Sequence, residues 1–210
     1  MRLKNEKVNL QGLTPIFYNK AIQLDPKETL TYQNRGAAKD RLGDYTGAIR
    51  DCNKAIEIDT GDAKAYSNRG RVKSNSLGDY AGAIRDYNKA IEINSKYENA
   101  YCNRGITKGI LGDYTGEIKD YNKVIEFNPK SSAAYSRRGI VKGKLGNIAG
   151  AIKDLNKAIE FNPKNAFAYY NRGIAKKLSG NKKGAFEDLS TAGELGIDKA
   201  YEKIKEIQSK

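Results

Sequence analysis

Histidine is absent from this 210-residue chain, and cysteine occurs only twice. The missing imidazole removes the commonest general base and the commonest metal ligand. Cys52 and Cys102 stand 50 residues apart, so they form no CxxC-type metal or redox pair. Cys52 takes an apolar slot and reads as a buried thiol. No run of 18 apolar residues occurs, so no membrane-spanning helix is expected. The opening MRLKNEKVNLQGL has basic residues but lacks the apolar stretch of a secretory leader, which makes a cytoplasmic location the expectation. There is no P-loop, no GxGxxG and no nucleophile beside a base. The chain is therefore expected to be no enzyme, with no cofactor and no metal site.

What is present is positive charge and periodicity. Lys and Arg number 38 against 25 Asp and Glu, a net of +13. Such an excess can serve nucleic acid, acidic peptides or an anionic surface, depending on where it lies. Tyr32, Tyr66, Tyr101, Tyr135 and Tyr169 recur at intervals of 34, 35, 34 and 34 residues. The one extra residue falls in SNSLGDY, placed at a turn, where an insertion is cheap.

Each unit reads as two helices. The first begins near the marker tyrosine and ends at a glycine turn: Leu42-Gly43-Asp44, Leu77-Gly78-Asp79, Leu111-Gly112-Asp113, Leu145-Gly146-Asn147 and, more weakly, Ser179-Gly180-Asn181. Glycine suits the left-handed residue after a helix, and Asp or Asn suits the cap of the next. The second helix carries apolar residues at helical spacing, as in Ala83, Ile84, Tyr87, Ala90, Ile91 and Ile93.

The linked pattern Tyr66-x2-Arg69-Gly70-x2-Lys73, then Ala83-x3-Tyr87, resembles the tetratricopeptide repeat (TPR) family. The resemblance covers roughly residues 15 to 199. It implies an all-α fold, a right-handed superhelical solenoid of antiparallel helix pairs. The expected divisions are an N-terminal segment with a half-repeat helix (1–28), five units (29–62, 63–97, 98–131, 132–165 and 166–199) and a capping helix (200–210). It also implies a protein-interaction scaffold that takes a peptide or protein segment in a concave groove.

Two features of the NRG triplet follow. Gly36, Gly70, Gly105, Gly139 and Gly173 sit inside helices at a cost of about 1 kcal/mol each, so that the second helix can approach opposite Ala48, Ala83, Ala151 and Ala185. In the third unit Glu117 takes that slot and Val124 replaces a later alanine. Looser packing is expected there, with Glu117 turned toward solvent or Lys108. Arg35, Arg69, Arg104, Arg138 and Arg172 stand where the family usually has leucine, with lysines four residues on. Asp51, Asp86, Asp120, Asp154 and Asp188 on the second helices are the expected partners of the arginines. The lysine stems should pack while their ammonium groups reach water. That ladder absorbs part of the positive excess. The excess is unevenly spread: with the ladder included, 63–97 has seven basic and three acidic residues, and 132–165 has seven and two. No continuous basic stripe is evident, so nucleic-acid binding is the alternative reading rather than the first.

The resemblance places certain first-helix slots in the groove. The slot before the arginine holds Asn34, Asn68, Asn103, Arg137 and Asn171. Amides suit an extended peptide backbone because they donate and accept, and Arg137 suits a carboxylate. Some TPR proteins clamp a partner's C-terminal carboxylate with Asn, Lys and Arg in such slots. Asn68, Asn103 and Arg137 resemble part of that clamp, but Ala133 stands where its lysine belongs. Nearby slots hold Arg71, Ile106, Ile140 and Ile174, then Lys144 and Leu178, with Tyr170 alongside. The isoleucines serve either as anchors for a partner or as packing between repeats. The candidate peptide-binding set is Asn34, Asn68, Arg71, Asn103, Ile106, Arg137, Ile140, Lys144, Tyr170 and Asn171. The expected partner is a protein or peptide, acidic or with a free C-terminal carboxylate, and no membrane is expected.

The two ends differ. DKAYEKIKEIQSK places Tyr201, Ile204 and Ile207 on one face, as a solenoid cap requires. TPIFYNKAIQLDP matches a second helix, with Thr14 as cap and Pro15 at its first position. Leu3, Val8, Leu10 and Leu13 before it are expected either to fold back or to leave an end that docks on a second copy.

Overall fold

The computed structural model describes residues 10–208, which form twelve α-helices and no strand. They are α1 (Leu10–Leu24), α2 (Thr29–Arg41), α3 (Tyr45–Ile58), α4 (Ala63–Leu77), α5 (Tyr80–Ile93) and α6 (Glu98–Ile110). Then come α7 (Tyr114–Phe127), α8 (Ser132–Lys144), α9 (Ile148–Phe161), α10 (Ala166–Leu178), α11 (Lys182–Glu194) and α12 (Lys199–Gln208). None of the helices in the described residues is long and apolar enough to cross a membrane. The chain divides into two compact units within α6, 1–107 and 108–210.

The helices alternate as the sequence pattern requires. In the first unit α1 packs on α2, α2 on α3, α3 on α4 and α4 on α5; in the second the same holds from α7 to α12. Each second helix is capped by the residue after the turn glycine. Asp44, Asp79, Asp113, Asn147 and Asn181 accept from the backbone N–H three residues on, at 2.8–2.9 Å. The turn glycines themselves are left-handed, for example Gly43 at φ 83° and Gly146 at φ 79°. The extra residue of the second repeat is absorbed not in the turn but in the last turn of α4. That helix has 15 residues where α2 has 13. The Asp79 N–H accordingly reaches back six residues to Lys73, whereas Asp44 reaches back five to Lys39.

The core is built from small residues. Ala48, Ala83, Ala151 and Ala185 are buried, as are Ala55, Ala90, Ala158 and Ala192 one helical stretch further on. The mid-helix glycines meet the second helix in two places. A methyl on Gly173 would lie 3.2 Å from the Ala185 carbonyl oxygen and 2.8 Å from Leu189 Cγ. A methyl on Gly70 would lie 3.1 Å from the Ala83 oxygen and 2.8 Å from the Tyr87 ring. The glycine thus faces the backbone of the alanine and the large side chain four residues later. Cys52 occupies that second position in the first repeat and is buried, which pushes its thiol up to about 12.

Each end differs from expectation in one respect. Helix α1 begins at Leu10, so Thr14 and Pro15 lie inside it rather than at its start; the helix tolerates Pro15 at the loss of one backbone bond. Leu3 and Val8 lie outside the described residues. At the other end Ala200, Ile204 and Ile207 of α12 close on Ala185, Leu189 and Ala192 of α11. Tyr201 is not on that face. It is half exposed and lies over Gly193, whose missing side chain makes the room.

Candidate functional site

The arginine of NRG is engaged within the scaffold. Arg138 grips Asp154 with two parallel bonds, Nε to Oδ2 at 2.8 Å and Nη2 to Oδ1 at 2.7 Å. Arg35, Arg69 and Arg172 do the same with Asp51, Asp86 and Asp188. The lysines, expected from the sequence to project their charge into water, do not do so. Lys39, Lys73, Lys108, Lys142 and Lys176 each bind the ladder aspartate of their repeat at 2.8–2.9 Å, because one buried carboxylate has lone pairs for both cations. Burial works to raise the Asp154 carboxyl, yet hydrogen bonds from Arg138 and Lys142 outweigh it and hold the group below the usual carboxylate range.

Two further members of this node were not read from the sequence. Each marker tyrosine lies beneath the guanidinium of its arginine, at 5.3–5.5 Å from the ring centroid. Each arginine also donates through Nη1 to an asparagine of the preceding second helix, at 2.6–2.7 Å: Asn19, Asn53, Asn88, Asn122 and Asn156. Their signal was available, since four of these asparagines follow a ladder aspartate by two residues.

The candidate recognition residues fall into separate groups. In the first unit Arg71 is paired with Asp40 at 2.6 Å, an oxygen pair that Asp40 shares with Ser76, so it acts as a link between α4 and α2. Asn34, Asn68, Asn103 and Ile106 are half-buried. In the second unit Tyr170 packs against the core closed by α12. Four candidates do come together there: Arg137, Ile140 and Lys144 of α8, and Asn171 of α10.

These four border two cavities that share Ile140. One, of about 260 Å³, lies among α8, α9 and α10. Its floor is Ala151 and Leu155, its walls are Ile140, Ile148, Ile174 and Leu178, and Lys144 and Asn171 stand at its edge. The other, of about 250 Å³, lies between α8 and the start of α10, bordered by Ala133, Ser136, Arg137, Asn165 and Phe167. Phe167 is 65% exposed and was not singled out by sequence. Arg137 is exposed and has no ion pair among the described residues. Lys144 lies over the Tyr114 ring at 5.6 Å.

The first cavity has a filled counterpart one repeat earlier. Helices α6 and α8 each carry a second glycine four residues after the first, Gly109 and Gly143. Over Gly109 lies the carboxyl of Glu117, which is 7% exposed. This corrects the expectation of loose packing with Glu117 turned toward solvent or Lys108: the absent side chain of Gly109 provides the space, and Tyr121 and Val124 are fully buried beside it. Burial raises the Glu117 carboxyl, ahead of the lowering influence of Lys144, Tyr121 and Arg137. Over Gly143 stands Ala151, whose Cβ would be 3.7 Å from a methyl on the glycine. The space that Glu117 fills in one repeat is open in the next.

Comparison with known proteins agrees with this architecture. Residues 74–108 and 143–180 match a family model described as TPR repeat, and residues 30–62 and 98–131 one described as tetratricopeptide repeat. A 35-residue stretch is 54% identical to the small glutamine-rich tetratricopeptide repeat-containing protein beta of Homo sapiens, covering 17% of this chain and 12% of that protein. Among solved structures, a tetratricopeptide repeat protein from Parabacteroides merdae ATCC 43184 is similar with a TM-score of 0.67 and 26% identity, over 94% of this chain and 77% of the other. YrrB, described as a TPR protein with an unusual peptide-binding site, aligns with a TM-score of 0.65 and 22% identity, over 86% of this chain and 93% of its own. With its recurrent Tyr-x2-Arg-Gly units folded as successive helix pairs, the chain is a member of the tetratricopeptide repeat family.

Proposed function

We propose that the chain is a peptide-binding scaffold whose recognition surface in the second unit is the face of α8 and α10. TPR proteins are typically non-enzymatic protein-interaction scaffolds, and this reading assigns the interaction to a place. The observation that carries it is the pair of adjoining cavities on either side of Ile140. Concave, largely apolar sites with a few polar groups at the edge are where ligands bind. The variable residues Arg137, Ile140, Lys144 and Phe167 meet there, while the repeated ones form the buried node.

The polyanion alternative is weakened by the ion pairs. Of the seven basic residues in 132–165, Arg138, Lys142 and Lys157 are paired with Asp154 and Glu160. In 63–97, Arg69, Lys73, Arg71 and Lys89 are paired likewise. The test is to select a random dodecapeptide phage library on the immobilised full chain at moderate salt, and to titrate labelled single-stranded RNA in parallel. Saturable peptide binding, mapped to α8 and α10 by amide-shift changes, supports the reading. Enrichment of no peptide overturns it, and RNA binding that falls steeply with salt then supports the polyanion reading.

A further inference from the structure

We propose that the α8–α10 face selects extended peptides in which a large apolar side chain and an acidic side chain stand two to four positions apart. This rests on the peptide-scaffold reading above and names the ligand class for it.

The apolar half follows from the 260 Å³ cavity. Its floor and walls are aliphatic, and it exists because Gly143 and Ala151 face each other where a longer side chain would fit. The preceding repeat gives the size of a fitting occupant. There the equivalent space over Gly109 holds the whole side chain of Glu117, supplied from within. In the α8–α10 cavity none of the described residues takes that place, and the lining suits Leu, Ile, Met or Phe rather than a carboxylate. A cavity of about 150 Å³ suffices for a benzene ring in an apolar core, so one such side chain is accommodated.

The acidic half follows from Arg137. Asn165, beside it, is already used: its Oδ1 accepts from the Ala168 N–H at 3.0 Å, and its Nδ2 donates to Ser132 Oγ at 3.1 Å. The guanidinium of Arg137 is thus the charged donor of the second cavity, and the exposed ring of Phe167 borders the same space. The acid is an internal side chain, not a chain terminus. Ala133, exposed one turn before Arg137, borders the cavity with a methyl group alone and supplies no second cation, so the peptide can run on past this point.

The spacing comes from the helices. The α8 residues that line the two cavities are centred five residues apart, roughly 7–8 Å at helical rise. From Asn165 and Phe167, at the cap and start of α10, to the α10 residues of the first cavity the offset is greater, roughly 13 Å. An extended peptide advances about 3.3 Å per residue, which gives two to four positions.

The experiment uses the peptides selected on the full chain, resynthesised with amidated C-termini and titrated by fluorescence anisotropy. The expected result is enrichment of the stated pair. Gly143→Leu, which fills the first cavity, should weaken binding about tenfold or more. Arg137→Gln should weaken it about tenfold and reduce its salt dependence. Replacing the peptide's apolar residue by Ala should abolish the effect of Gly143→Leu. If Gly143→Leu lowers the melting temperature, the peptide series decides instead: replacing the peptide's apolar residue by Ala should weaken binding to the wild-type chain about tenfold. Peptides that bind without the pair, or that are indifferent to both variants, overturn the inference and leave the scaffold reading standing. Loss of binding on amidation also overturns it, in favour of a terminal carboxylate. Enrichment of no peptide removes the scaffold reading and the inference together.

Discussion

Arg172 holds Asp188 through two parallel hydrogen bonds, Nε to Oδ2 at 2.7 Å and Nη2 to Oδ1 at 2.6 Å, and Lys176 joins the same carboxylate at 2.9 Å. The aspartate is buried, and the two cations are only partly so. Leucine at the arginine slot would leave the carboxylate short of a partner; leucine at both positions would remove the need for one.

Arg138→Leu should therefore cost about 2–4 kcal/mol in urea denaturation, and Arg138→Leu with Asp154→Leu should recover most of it. In acid the sign is fixed by the depressed Asp154 carboxyl. Its contribution is complete above the unfolded value, about 3.9, and is lost as pH falls through the lower folded value. Melting temperature measured from pH 5 to pH 2 should fall more for the wild type than for Asp154→Asn.

Glu117 has the opposite sign, because burial raises its carboxyl. The folded state binds this proton more tightly than the unfolded chain. Its effect on stability is neutral below the unfolded value of about 4.3 and becomes a penalty as pH rises through the folded value. Glu117→Gln should melt higher than the wild type at pH 8 and match it near pH 4. A variant that melts lower at pH 8 would mean that Lys144 and Arg137 outweigh burial.

Two glycines on the same kind of helix should respond in opposite directions. Gly173→Ala forces a methyl to 2.8 Å from Leu189 Cγ, and should cost about 1–3 kcal/mol. Gly143→Ala meets Ala151 at 3.7 Å, and should gain about 0.5–1 kcal/mol from helix propensity. Parallel thermal melts check the pair.

Cys52 is buried and its thiol is pushed up to about 12. Maleimide labelling at pH 7.5, read by peptide mass spectrometry, should leave Cys52 unmodified in the native protein and label it fully in denaturant. Rapid native labelling would mean that the α2–α3 pair opens locally.

The array was legible because its signals are local and recur. The tyrosine interval, the Gly-Asp turns and the Arg-x3-Lys pair each lie within one helix or at its end. The Arg–Asp ladder could be read because the acid recurs at a fixed slot. The missed features depend on pairs of slots in different helices. Lys142 was assigned to water because nothing in its own helix shows that Asp154 has a second oxygen within reach. Glu117 looked misplaced in an alanine slot until Gly109 was found beneath it. The α8–α10 cavity is the same condition reversed, Gly143 against Ala151, and Phe167 gains meaning only beside Arg137.

The asparagine bond gives each repeat a chemical polarity. The arginine node of one repeat is completed by the second helix of the repeat before it: Arg69 uses Asn53, and Arg172 uses Asn156. Helix α1 supplies Asn19 to Arg35 in the same way. After α11, where α12 follows instead of another first helix, the corresponding slot holds Ser190. Each of the first four repeats thus carries a socket at its leading edge and a matching plug at its trailing edge. A gene encoding such a chain can lengthen by copying a segment in place, with each new junction already compatible and only the outward-facing residues left to diversify.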